Sequence, residues 1–263
     1  MKRFATLAIA LLITVPVFAG IAYDFSMTTT GEGQSQKMAG VAKVEGSKMR
    51  MEIQDGDEAV FESGSVILSR DGGATMTVLD PSDKTYFELS VDQIFNQLTS
   101  MMQSMGSNFE MSIKNQKVDV EKLGAGDKIA GHATTRYRID AKYDIVMSMM
   151  GMNMTMSVDS STLMWATPDI AKDAATIFQS KGLKTGMKDL DALIEKYADE
   201  VDGFPLRTEA DSTMLMMGRT IKSKTVTEVS NVREAKIPNS EFDVPGDFRK
   251  VDGPLEAMMK NAR

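Results

Sequence analysis

The chain has 263 residues, with 37 acidic against 30 basic side chains and a formal charge of −7. That balance argues against a nucleic-acid binder, which carries a basic face, and against docking on anionic lipid head groups. The chain has no cysteine and one histidine, His132, so disulfides, thiolate catalysis, iron–sulfur clusters, zinc–cysteine centres and multi-histidine metal sites are excluded. Methionine is abnormally common at 23, against 15 leucines. Met is flexible and polarisable, and it suits irregular gaps and adaptable binding surfaces.

Lys2 and Arg3 precede an uncharged stretch from Phe4 to Ala22. Val17-Phe18-Ala19 and Gly20-Ile21-Ala22 both end on a small residue, completing the pattern of a secretory signal. Residues 1–22 are therefore expected to be an export signal, cleaved after Ala19 or Ala22. A single domain is expected over 23–251, followed by a short helical tail over 252–263. The destination is the periplasm or the exterior. Removing Lys2 and Arg3 leaves 28 basic residues against 37 acidic ones, a charge of −9.

The mature part opens as a meander of strands. Tyr23, Phe25 and Met27 alternate with polar residues, as do Met49, Met51 and Ile53, the period of a half-buried strand. Weaker strands follow at Val41–Val44, Val66–Leu68, Thr75–Leu79 and Thr85–Leu89. Their separators, such as Asp71-Gly72-Gly73 and Asp80-Pro81-Ser82-Asp83, carry turn chemistry. Spacing near ten residues suits antiparallel hairpins. Val91, Ile94, Phe95, Leu98, Met101, Met102 and Met105 fall at helical spacing, and the apolar stripe needs a surface to cover. Strands resume at Phe109–Ile113, Val118–Val120 and Thr134–Ile139.

Met147, Met149, Met150, Met152, Met154 and Met156 then lie within ten residues. Parity switches at Gly151, so a bulge or tight turn is expected there. The strand after it runs towards Trp165. Thr167-Pro168 reads as a helix start with Thr167 as N-cap. Helical stripes follow through Ile170–Phe178 and Leu190–Val201. Two long strands, Arg207–Met217 and Thr220–Arg233, join at Gly218, and a short helix from Pro254 to Asn261 closes the chain.

The fold class expected is α+β, mainly antiparallel β: a curved sheet or half-barrel with helices covering the concave face. This order of elements resembles the lipoprotein-carrier (LolA/LolB-like) half-barrel. More specifically, the chain resembles a family of secreted bacterial proteins of unknown function related to that fold. The resemblance rests on Lys48-Met49-Arg50-Met51-Glu52, Thr77-Val78-Leu79-Asp80-Pro81 with Lys84-Thr85-Tyr86-Phe87, Ala130-Gly131-His132 before Arg136-Tyr137-Arg138, and Phe242-Asp243-Val244-Pro245. It implies an apolar cavity and a hydrophobic ligand, and it carries over no catalytic residue.

Few residues suggest catalysis. His132 reads as a turn histidine without a nucleophile motif beside it. Gly31-Glu32-Gly33 lacks the third glycine and the helix of a nucleotide loop. Asp55-Gly56-Asp57-Glu58 lacks the spacing of a calcium loop. No catalytic residue and no cofactor is expected.

The methionines carry three readings. Plain core packing is one. An apolar cavity lined by Met49, Met51, Met101, Met102, Met105, Met152, Met154 and Met156 is the second, serving a lipid, acyl chain or lipoprotein segment. The third is Cu(I) or Ag(I) binding by Met147, Met149, Met150, Met152, Met154 and Met156, since thioethers are soft ligands. Alternate residues of one strand lie about 7 Å apart, so a metal would need ligands from a second strand. The protein is expected to be non-enzymatic, with no nucleic-acid partner and with peripheral membrane contact left open.

Overall fold

A computed structural model describes residues 20–56, 61–90, 93, 110–149, 152–170, 191–192 and 200–253. These form one curved, open sheet of twelve strands. In chain order the strands are β1 (Gly20–Gly31), β2 (Gln34–Glu45), β3 (Lys48–Gly56), β4 (Val66–Ser69), β5 (Thr75–Asp80), β6 (Thr85–Ser90), β7 (Glu110–Ala125), β8 (Thr135–Met149), β9 (Met152–Thr167), β10 (Phe204–Met216), β11 (Arg219–Ala235) and β12 (Arg249–Lys250). Across the sheet they run β12-β6-β5-β4-β3-β2-β1-β11-β10-β9-β8-β7. All pairings are antiparallel except that of β12 with β6.

Turn chemistry explains the hairpins. Gly31 pairs with Gln34 and Met216 with Arg219, leaving two-residue loops. Glu32 and Gly33 (φ 49° and 82°), like Met217 and Gly218 (φ 51° and 77°), occupy the left-handed region that such tight hairpins demand at both central positions. Glu32 is thereby a turn residue, held by an ion pair to Arg219 at 3.0 Å, and not part of a nucleotide loop.

Several expected elements come out longer. The strands read at Phe109–Ile113 and Val118–Val120 are one strand, β7, over the residues described. Its register slips between Lys114 and Lys117, where Asn115 takes φ 53° and donates its amide to Asp144 Oδ2 at 2.6 Å. A polar run that reads as a loop is here a bulge that a long strand absorbs. Likewise Thr134–Ile139 is only the start of β8, which reaches Met149. Met149 pairs with Met152, so the chain reverses between them, as the parity change at Gly151 suggested.

The expected layer of helices is the main difference. Among the described residues helical conformation is confined to one 3-10 turn, Asn239–Phe242, and to the α-helical residues Gln93, Asp191, Ala192 and Glu200. Their architecture is mostly antiparallel β, and the expected α+β arrangement with helices covering the concave face is not supported by them. The stripe residues of the expected helix from Val91 to Met105 and the tail helix from Pro254 lie outside the described residues, as do residues 1–19 of the expected signal 1–22 and most of the stripes between Ile170 and Val201. The residues flanking this last segment are described. Thr167 is fully buried, and its hydroxyl accepts from the Asp169 N–H at 3.3 Å, as a cap does. Ile170 packs into the cluster of Tyr23, Phe25, Phe204 and Leu206, and Val201 into that of Tyr137, Ile139 and Met164.

Register shows why the sheet is stable as drawn. Residues paired across antiparallel strands share a face. One such row runs Phe87, Val78, Ile67, Met51, Ala42, Tyr23 from β6 to β1. Another runs Met27, Thr227, Thr208, Met164, Tyr137 from β1 to β8. This is the apolar face, and the core lies against it. The opposite face carries ion pairs such as Lys142–Asp159 at 2.7 Å and Arg50–Glu52 at 2.7 Å. Its β4–β6 end is the exception: Val66, Leu68 and Leu79 are buried there beneath Val244 and Phe248 of the exit segment.

Candidate functional site

The candidate methionines divide between two places on the apolar face. Met49 is buried, 4% exposed, and Met51 half-buried; both belong to the cluster around Tyr23, Val44 and Ile67. Met154 and Met156 lie on β9, five strands further along the sheet. At about 4.8 Å per strand, that is roughly 24 Å measured along the sheet. Met101, Met102, Met105 and Met150 lie outside the described residues. Met149 and Met152 face each other across the β8–β9 hairpin by their backbone pairing.

The β9 group gains partners that local spacing does not display. Met154 stands opposite Met147 on β8, and Met147 opposite Met111 on β7. The next row of the same face is Ile113, Ile145, Met156 and Met216. Beyond it come Tyr143, Val158, Met214 and Ile221. Met111, Met147, Met154, Met156, Met214 and Met216 are all half-buried. The parity change at Gly151 signalled a bulge or tight turn, and the pairing of β8 with β9 is what sets Met147 opposite Met154. Met111 offered no such signal, because the bulge at Asn115 shifts its register.

The Met face therefore combines flexible apolar side chains with partial access, over four adjacent strands. Burial holds the Tyr143 hydroxyl proton more firmly than usual, so this tyrosine stays neutral there. Three surface hollows, of about 390, 610 and 340 Å³, lie elsewhere; none is lined by a candidate methionine. The first lies between Phe61, Val78, Leu79, Phe87 and Val251, the second beside Arg70, Phe242 and Val244, and the third among Lys117, Asp140, Lys142 and Asp159.

His132 behaves as a turn residue. Its N–H and C=O both bond Ile129 across Ala130 and Gly131, which take φ 49° and 86°. Its Nδ1 lies 3.6 Å from Asp169 Oδ2. Asp55 is the exposed penultimate residue of β3, while Asp57 and Glu58 lie outside the described residues. Among the described residues no group of three or more His, Asp or Glu could hold a metal ion.

Fold and face together define an open antiparallel sheet protein with one charged face and one apolar face that becomes methionine-rich over β7–β10. The chain belongs to the family described as Domain of unknown function (DUF4412), whose model matches residues 18–248. No curated protein matches it in sequence. Among solved structures it is similar to PNGF-II, with 12% identity and a TM-score of 0.34 over 91% of this chain. The chain spans only 32% of the length of PNGF-II. It is also similar to a DUF1329 family protein from Desulfovibrio piger ATCC 29098, with 10% identity, TM-score 0.32, and coverage of 87% of this chain and 91% of that one. A putative outer membrane lipoprotein-sorting protein domain from Vibrio parahaemolyticus gives 12% identity, TM-score 0.32, and coverage of 86% and 90%.

Proposed function

We propose that this protein is exported to the periplasm, is not an enzyme, and binds or carries a hydrophobic ligand of the acyl-chain type on the apolar face of its sheet. The observation that carries this reading is the half-buried methionine surface over β7–β10, continuous by register with the packed apolar face of β1–β6. Flexible thioether side chains adapt to ligands of varied shape, which suits an unbranched chain better than a rigid slot does. Burial of about 300 Å² of apolar surface would contribute about 7 kcal/mol at roughly 25 cal/mol per Å². Against a cost of association on the order of 4 kcal/mol or more, at most about 3 kcal/mol remains, a Kd of roughly several millimolar or weaker. The resemblance drawn from the sequence motifs points the same way, towards a carrier of lipid or of a lipoprotein segment.

The test is an environment-sensitive fatty-acid probe titrated into folded, delipidated protein. Saturable enhancement, weakened by Met156→Trp and untouched by Met217→Trp at the exposed hairpin tip, supports the reading. Absence of saturable binding returns these methionines to packing alone.

A further inference from the structure

We propose that Met111, Met147 and Met154 form a site for a soft monovalent metal ion, Cu(I) or Ag(I). The pairing of β7 with β8 sets Met111 opposite Met147, and that of β8 with β9 sets Met147 opposite Met154. Three thioethers thus stand in one row on one face of three adjacent strands. Strands lie about 4.8 Å apart, against about 7 Å between same-face neighbours on a single strand. Cross-strand pairing therefore removes the obstacle that a run of alternate methionines on one strand presents. Met has three rotatable side-chain bonds, so the two outer sulfurs can lean in over the central one. Neutral thioether sulfur is a ligand that selects Cu(I), and it has no proton to displace.

The composition of the face supports a purpose beyond packing. Towards the other end of β7 and β8 the same face carries Val118, Val120, Tyr137 and Ile139, the residue types that pleated strands favour. The neighbouring row supplies Ile113 and Ile145, an apolar flank that restricts water. On β7 and β8 methionine replaces these types only towards the β8–β9 turn. All three side chains are half-buried, so an ion can reach the sulfurs while much of the surrounding water is excluded. The site needs no cavity, so it stands independently of the hydrophobic-ligand reading.

The experiment is a Cu(I) titration of the mature protein against a colorimetric Cu(I) chelator, with a thiol-free reductant. The protein should withdraw one equivalent, and X-ray absorption at the copper edge should show sulfur neighbours. Met147→Leu should weaken binding at least tenfold, with similar losses for Met111→Leu and Met154→Leu and none for Met49→Leu. Leu and Met are close in volume, and circular dichroism checks the fold. As a measurement free of substitutions, Ag(I) added to protein with ¹³C-labelled Met methyls should shift the resonances of Met111, Met147 and Met154. A chelator that keeps all the copper, a triple Leu variant that binds like wild type, or Ag(I) shifts confined to other methionines would each overturn the proposal.

Discussion

Lys43 Nζ lies 2.8 Å from Glu241 Oε2, tying β2 to the 3-10 turn that follows the last long strand. Arg50 approaches the same carboxylate at 3.8 Å and donates to the Glu241 backbone carbonyl at 3.3 Å. Arg70 donates to the Phe242 carbonyl at 2.9 Å and pairs with Asp243. The exit segment is thus pinned by cations of β2, β3 and the turn after β4, with Phe242 buried beneath it.

This contact sets a pH dependence. The hydrogen bond from Lys43, with the charges of Lys43 and Arg50, holds the Glu241 carboxyl below its usual range against a smaller opposing effect of burial. A carboxyl whose folded pKa is depressed contributes stability above its unfolded pKa, and that contribution is lost as pH falls through the folded value. Both side chains are about a third exposed, so solvent screening limits the effect to about 1 kcal/mol or less. Glu241→Gln should lower the urea midpoint at neutral pH. The gap to wild type should close below the carboxylate range; a gap that persists there would show that charge is not its origin.

The expected export signal offers two cleavage points, and the pairing of β1 favours the one after Ala19. Gly20, Ile21 and Ala22 begin β1, pairing with Ala235, Glu234 and Arg233 on one side and Glu45, Val44 and Lys43 on the other. Ile21 and Ala22 are each 4% exposed. Cleavage after Ala22 would strip these contacts, whereas cleavage after Ala19 keeps them. N-terminal sequencing of the mature protein should read Gly20. A chain starting at Tyr23 should be less stable by about 2–4 kcal/mol, the scale of losing a buried Ile and its neighbours. Recovery of Tyr23 as the natural terminus would refute the assignment.

Two glycines separate crowding from backbone strain. A Cβ on Gly40 would lie 2.0 Å from the Glu52 carbonyl oxygen of β3 and 3.1 Å from the Phe25 ring. Neither strand can retreat without breaking its ladder, so Gly40→Ala should cost about 3 kcal/mol. Gly33 meets nothing within 4 Å but holds φ +82°, so Gly33→Ala should cost about 1 kcal/mol, from the left-handed backbone alone. Equal losses in chemical denaturation would contradict this account.

The Phe204 ring meets Tyr23 edge-on, with centroids 5.4 Å apart and planes at 70°. Both rings are almost wholly buried, and burial pushes the Tyr23 hydroxyl pKa far up, keeping it neutral. Phe204→Ala should cost about 3–5 kcal/mol. Met217, 82% exposed at its hairpin tip, should tolerate Ser within about 0.5 kcal/mol. Thermal and urea unfolding of both variants decide the contrast.

Much of this protein was determined locally and is legible in the sequence. Alternation at Tyr23–Met27 and Met49–Ile53 specified half-buried strands, and separators such as Asp71-Gly72-Gly73 and Asp80-Pro81-Ser82-Asp83 specified reversals, because period and turn chemistry act over a few residues. The parity change at Gly151 marked a bulge or reversal there, while the opposition of Met147 and Met154 came from the pairing of β8 with β9. Other features needed the tertiary structure. β1 closes against β11, some two hundred residues later, and that pairing brings Gly20–Ala22 into the sheet. The separation of Met49 and Met51 from Met154 and Met156 follows from strand order, which alternation cannot encode, since every strand repeats the same period of two. Met111 joined the β9 methionines only because a bulge at Asn115 reset the register of a long strand. Local physics decided which side chains share a face of each strand, and long-range pairing decided which of them meet.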